Sequence, residues 1–239
     1  MTEAAKTLIV GGTGGLGLEL AKLLVAKGDT VIIAGRDAAK ANAIAAELGG
    51  GATGLALDLA KPETIAAALS GVGAVRRLVI TPILRDVNTV RTYNIASALN
   101  LVTMKLVGYV EVVHSLSDRL TADASIVLFG GQAMEKPYPG STTVSTVNGG
   151  VAALVRTMAI ELAPIRVNAV HPGVIGESPA WSDKPAAVLE ASRSRTPIGR
   201  HVTMAEVADA TRFLLENGGM NGVNLAIDCL LYTSDAADE

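Results

Sequence analysis

The chain has a single cysteine, Cys229, and it lies within the last eleven residues, CLLYTSDAADE (229–239). A disulfide framework, a thiol nucleophile and a thiolate metal cluster are therefore excluded, and no metal site is expected. Those eleven residues resemble a one-frame translation of a transposon-derived sequencing adapter, so they are expected to be a non-native scar beyond a domain of residues 1–228. Lys and Arg are scattered rather than bunched, and the formal net charge is −3. The basic stripe of a nucleic-acid surface is missing, and no nucleic-acid partner is expected. No apolar run approaches the roughly 20 residues of a membrane span, and MTEAAK lacks the basic-then-apolar order of a signal peptide. A cytoplasmic protein without a membrane partner is expected. Low-complexity linkers and internal repeats are also absent.

What is present is a regular alternation. Residues 6–12, 30–35, 53–58, 75–82, 124–131, 165–173 and 222–228 form short β-branched runs, most of them nearly continuous in apolar residues. Strands covered on both faces read this way. Between them the segments GLGLELAKLLVAKG, DAAKANAIAAELGG, PETIAAALSG, 88–120, 142–163 and 203–217 carry helical spacing, several with Gly at the end. The pattern predicts one α/β domain, a doubly wound, Rossmann-type parallel sheet of about seven strands with helices on both faces. The segment GSTTVSTVNGG (140–150) reads as a helix start with Ser and Thr available as caps, and it offers no group that titrates near neutral pH.

The first crossover carries a chemical signal. VGGTGGLG (10–17) follows a strand and opens a helix, where glycines let the backbone turn tightly and approach a pyrophosphate resting on helix N-terminal N–H groups. A glycine-rich turn without a ligand is the plain alternative; the surrounding βαβ order favours a dinucleotide.

Gly11, Gly15 and Gly17 have the Gly-x-x-x-Gly-x-Gly spacing of the short-chain dehydrogenase/reductase family, which the chain resembles over residues 6–228. Asp58-Leu59 after the third strand, NAVHPG (168–173), PIGR (197–200) and the capping box Thr203-Met204-Ala205-Glu206 extend the resemblance. It implies a nicotinamide-dependent oxidoreductase, a homodimer or homotetramer, with Gly11, Thr13, Gly15, Leu16, Gly17, Asp58, Leu59, Thr81, Asn148, Pro172 and Gly173 at the cofactor. At the end of the second strand Gly35 takes the place of an acid that would bind the adenine-ribose 2′-hydroxyl, and Arg36 the place that pairs with a 2′-phosphate. NADP(H) is expected over NAD(H); Asp37 beside it pulls the other way, and a solvated charge is the plain reading of Arg36.

Elsewhere the chain departs from that family. By the resemblance, Val144 stands at the usual tyrosine of Tyr-x-x-x-Lys, Asn148 at its lysine and Gly130 or Gly131 at the serine, while Val79-Ile80-Thr81-Pro82 replaces an Asn-Ala-Gly turn. If KLVGYV (105–110) matches the family's Asn-Leu-x-Gly-x-Phe, Lys105 stands where an asparagine would, so amide and ammonium are exchanged. Lys105 and Asn148 are the catalytic candidates, with Lys105 either placed at the site or snorkelling to water from an apolar helix. Tyr138 between prolines, His114 on a helical apolar stripe and His171 at a strand end are weaker candidates, and Ser or Thr of 140–146 or a bound water could also supply a proton. Residues 174–195, with Trp181, should form a lid over the substrate. Two functions stay open: an NADP(H)-dependent oxidoreductase with an altered proton relay acting on a small carbonyl or alcohol, and a catalytically silent dinucleotide-binding protein. Chemistry on an activated alkene or imine is a third, unranked possibility.

Overall fold

The computed structural model describes residues 5–179 and 181–229. Seven strands form one sheet: β1 (Lys6–Val10), β2 (Val31–Gly35), β3 (Thr53–Ala56), β4 (Val75–Ile80), β5 (Leu120–Phe129), β6 (Arg166–Pro172) and β7 (Asn224–Ile227). Their order is β3-β2-β1-β4-β5-β6-β7, and every pair is parallel. The direction of winding reverses between β1 and β4. In such sheets the crevice at the carboxyl edge of that switch point is the ligand-binding place.

The period-2 geometry of a strand sends successive side chains to opposite faces, and both faces here are apolar. Leu8 and Val10 enter one core with Leu78, Ile80, Ile126 and Leu128. Ile9 enters the other with Ile33, Val79, Val127 and Val170. Helices α1 (Gly15–Ala26), α2 (Ala38–Leu48) and α8 (Met204–Glu216) cover the second core; α3 (Ile65–Leu69), α4 (Ile95–Val102), α5 (Gly108–Leu116) and α6 (Thr142–Glu161) cover the first.

The long helical segment expected over 88–120 begins only at Ile95. The cause is Asn88, whose amide nitrogen donates to Asp86 Oδ2, Asn94 O and Thr143 Oγ1 while its oxygen accepts from Asn94 N–H. A side chain that satisfies the backbone in this way competes with helix, and Asn94 then caps α4 by accepting from Ser97 N–H. Between α4 and α5 the chain makes a π-turn, Thr103–Val107, with Gly108 N–H donating to Thr103 O. Ile95–Arg119 as a whole is long and apolar enough, by length and composition, to cross a membrane; its inner residues Leu101, Tyr109, Val112 and Leu116 belong to the first core.

Two further expectations need correction. Ser141 precedes α6 but caps it with no side-chain bond, because its Oγ accepts from Tyr138 N–H and shares a proton with Ser145 Oγ. His114 is exposed, since it falls on the outer side of α5. Residues 186–193 of the lid form a short helix, α7, none of whose residues is buried. Of the suspected terminal scar, Cys229 is half-buried against the second core; residues 230–239 lie outside the described residues.

The capping box at α8 is complete: Thr203 Oγ1 accepts from Glu206 N–H, and Glu206 Oε2 accepts from Thr203 N–H. Thr203→Ala removes the cap and should cost about 1 kcal/mol, read as a fall in melting temperature of about 2–4 °C.

Candidate active site

The turn from β1 into α1 is built so that only glycine fits. A β-carbon on Gly17 would lie 2.3 Å from Gly11 O, and one on Gly11 would lie 2.4 Å from Thr81 Oγ1. Helix and strand thus touch backbone to backbone, with Thr81 donating to Val10 O across the switch point. At Gly14 nothing stands within 4 Å of a β-carbon position, and this residue caps α1 without a side chain over the first helical N–H groups. A free helix N-terminus behind open space fits a pyrophosphate. Leu16 is half-buried in the first turn of α1, and Pro179 of the lid comes within 3.9 Å of a β-carbon position on Gly15.

At the end of β2 a side chain on Gly35 would meet Thr13 Oγ1 and Cγ2 at 2.6 Å. Arg36 is exposed and has no ion pair or hydrogen bond among the described residues, whereas Asp37 is committed to the backbone as the cap of α2, accepting from Lys40 N–H at 3.0 Å. Asp58 turns its carboxylate onto Ala60 N–H, and Leu59 is buried with its carbonyl 2.4 Å from a β-carbon position on Gly108. Pro172 ends β6, and Gly173 N–H bonds to Ile227 O.

Lys105 sits in the π-turn and is 2 % exposed, so it does not snorkel to water. Its Nζ lies 5.6 Å from the centre of the Tyr109 ring. Tyr109 is itself buried, its hydroxyl 3.1 Å from both Pro82 O and Phe129 O, so its single proton is shared between the ends of β4 and β5. Burial raises that phenol's pKa, and its proton is structural. Among the described residues Lys105 has no hydrogen bond and no ion pair. Desolvation, with repulsion from the Arg85 guanidinium second, lowers its pKa from 10.5 to about 7.

His171 fills the floor. Its ring stands 2.1 Å from where a β-carbon of Gly130 would be, so a serine there has no room. Nδ1 accepts from Gly131 N–H at 3.1 Å, which leaves Nε2 to donate to Asn224 Oδ1 at 2.9 Å. Burial lowers its pKa, the Asn224 bond and Glu135 oppose, and Lys105 adds to the lowering. Asn148 is 5 % exposed, with its Nδ2 2.9 Å from a β-carbon position on Gly131, and its amide makes no hydrogen bond among the described residues. Val144 is core. The hydroxyls of 140–146 are largely engaged: Ser141 with Ser145, Thr143 with Asn88, and Thr146 with Thr142 O. Tyr138 is half-exposed in its loop.

Comparison with known proteins matches this geometry. The family model described as Enoyl-(Acyl carrier protein) reductase covers residues 11–229. The chain is 30 % identical over 230 residues to Carbonyl reductase family member 4 of Danio rerio, covering 92 % of this chain and 95 % of that one. It is 30 % identical to Inactive 2-(S)-hydroxypropyl-CoM dehydrogenase 2 of Xanthobacter autotrophicus, covering 87 % and 97 %. A solved 3-ketoacyl-(acyl-carrier-protein) reductase from Brucella melitensis, complexed with NADH, superposes with a TM-score of 0.83 at 26 % identity over 96 % and 98 %. The chain belongs to the short-chain dehydrogenase/reductase family.

As in that family of nicotinamide-dependent oxidoreductases, the glycine turn, Thr81, Asn148, Lys105 and Pro172-Gly173 gather at the carboxyl edge of one sheet. His171 is fully buried, with both ring nitrogens engaged, by Gly131 and Asn224. Sequence reasoning missed Arg85, which follows β4 and stacks its guanidinium 5.3 Å over the Trp181 ring of the lid. The available signal was its place just past the carboxyl end of a central strand.

The buried lysine makes stability depend on pH. The unfolded chain holds the Lys105 proton up to its ordinary value of 10.5, the folded chain only to about 7, so between these values the unfolded state binds more protons and stability rises with pH. The depressed His171 adds the same sign below its ordinary 6.5. Lys105→Met should therefore be more stable than the parent below pH 7, by on the order of a few kcal/mol, with the advantage fading toward pH 10, as urea unfolding at both ends of the range would measure.

Proposed function

We propose that this protein is an NADP(H)-dependent oxidoreductase acting on a small carbonyl or alcohol substrate, with Lys105 in place of the family's phenolic proton donor. The observation that carries this reading is the buried Lys105 ammonium, without hydrogen bond or ion pair among the described residues, beside the carboxyl ends of β4 and β5. When bound, the nicotinamide supplies or accepts the hydride. The chain's own residues do the rest. Lys105 Nζ, titrating near neutrality, gives a proton to the oxygen of a developing alkoxide and takes one back in the reverse direction. Before transfer its charge stabilises that oxygen in a water-poor site. The Asn148 amide is free to hydrogen-bond a sugar hydroxyl of the cofactor, and the Gly130–Gly131 pair, packed on His171, closes the floor.

The NADP(H) preference is supported by Arg36, exposed and free of partners among the described residues, by the absence of room for an acid at Gly35, and by the use of Asp37 as a helix cap. Ile95, Leu99 and Val110 lie exposed on α4 and α5 and support a homodimer or homotetramer. A silent dinucleotide-binding protein is the second reading. Val144 at the position of the tyrosine and Gly130 or Gly131 at that of the serine favour it, and one relative is itself named inactive.

Two measurements test the proposal. The dissociation constant for NADPH should be lower than for NADH, and Arg36→Ala should erase a preference on the order of 1.5–3 kcal/mol; equal constants in the parent protein would remove the NADP(H) assignment. Screening carbonyl compounds by NADPH oxidation should yield a substrate whose turnover falls by about 10²-fold or more in Lys105→Met with NADPH affinity nearly intact, whereas Asn148→Ala weakens the cofactor first. Full turnover in Lys105→Met would hand the site to another donor. No turnover on any compound favours the silent binder.

A further inference from the structure

Three donors meet at the carboxyl edge of the sheet, and none of them has an acceptor among the described residues. Lys105 presents a buried ammonium from the π-turn. Arg85, in the loop after β4, takes part in no ion pair there, and its guanidinium is fixed over the Trp181 ring at 5.3 Å. Trp181 Nε1 is buried on the lid side without a hydrogen-bond partner. The two cations are close enough that Arg85 repels the Lys105 proton, and no carboxylate acts on Lys105 in the opposite sense. The neighbouring acid, Asp86, spends Oδ2 on Asn88 and has Oδ1 buried without a partner.

Lys105 is buried and Arg85 is exposed over the Trp181 ring, and the described residues give neither cation nor the buried indole N–H an anion, which leaves that anion to the ligand. Buried charges are ordinarily paired, and buried N–H groups ordinarily bonded. Stacking on the tryptophan restricts the guanidinium, so less freedom is lost when it binds a planar acceptor such as a carboxylate.

Resting on the oxidoreductase reading above, we propose that the substrate is a short carbonyl compound that carries a carboxylate, with the carboxylate held by the Arg85 guanidinium and the Trp181 indole N–H and the carbonyl oxygen turned to Lys105 Nζ. Arg85 and Trp181 then act as specificity residues. The lid brings the tryptophan, so the substrate's own charge ties the lid to the loop after β4.

The test uses binding, which does not depend on turnover. In the NADPH-saturated full chain, calorimetry would compare the short carboxylates oxamate, malonate and benzoate with their neutral amides, oxamate and oxamide being nearly isosteric. At least one carboxylate should bind about tenfold or more tighter than its amide, the effect of a charge-assisted contact. Arg85→Gln should remove most of that difference, while Arg76→Gln, which deletes the same charge at the amino end of β4, should leave it unchanged. Carboxylates that bind no better than amides, or that do not bind at all, overturn the proposal, as does a preference that survives Arg85→Gln. The two readings fail separately. Selective carboxylate binding without NADPH oxidation on any carbonyl compound sinks the catalytic role and keeps the anion site; turnover of neutral ketones without carboxylate preference does the reverse.

Discussion

A buried ammonium with no counter-ion among the described residues is the constraint around which the carboxyl edge of this sheet is arranged. An isolated buried charge is costly, and proteins respond by shifting its protonation. Here Lys105 is brought to the border between charged and neutral, with the Tyr109 ring as its aromatic neighbour. Burial lowers the pKa of His171 as well, and repulsion from Lys105 adds to it. The imidazole is accordingly held neutral, its one proton on Nε2 toward Asn224 and its lone pair on Gly131 N–H. Tyr109 is drawn in as well, since its hydroxyl ties the ends of β4 and β5 under the π-turn.

The residues that the resemblance sets at the family's serine, tyrosine and lysine positions pack as a set. With no β-carbon at Gly130 the His171 ring has space, and with none at Gly131 the Asn148 amide can come close. Val144 has joined the core. Returning any one of the family's groups alone would meet an occupied volume or an unsuited neighbour: a serine at Gly130 collides with imidazole, and a tyrosine at 144 would find an amide at 148 where its partner's ammonium should be. Interacting residues of this kind are non-additive.

The fold was legible where the pattern is local. Strands such as TVIIAG are buried on both faces and read as unbroken apolar runs, and the capping box of α8 states its start in four residues. The glycine turn was legible for the same reason, as adjacent residues meet one steric demand. What could not be read depends on partners far apart in the chain. Asn88 delays the long helix by reaching Thr143, fifty-five positions on, and Arg85 finds its ring at Trp181. The spacing of apolar residues around Lys105 announced an uncomfortable cation, but a π-turn changes the register by one residue and has no sequence signature here. Ser141 misled because it has the right residue type for a cap and a better offer from its own loop.

The contact between Thr13 and Gly35 also sets an order on evolutionary change. An acid at position 35 would meet the threonine methyl and hydroxyl at 2.6 Å, so that substitution alone is a clash at the end of a buried strand. Shortening Thr13 first opens the volume, and only then does the acid become neutral to the fold. The two changes therefore do not commute: with threonine at position 13, packing alone keeps an acid out of position 35.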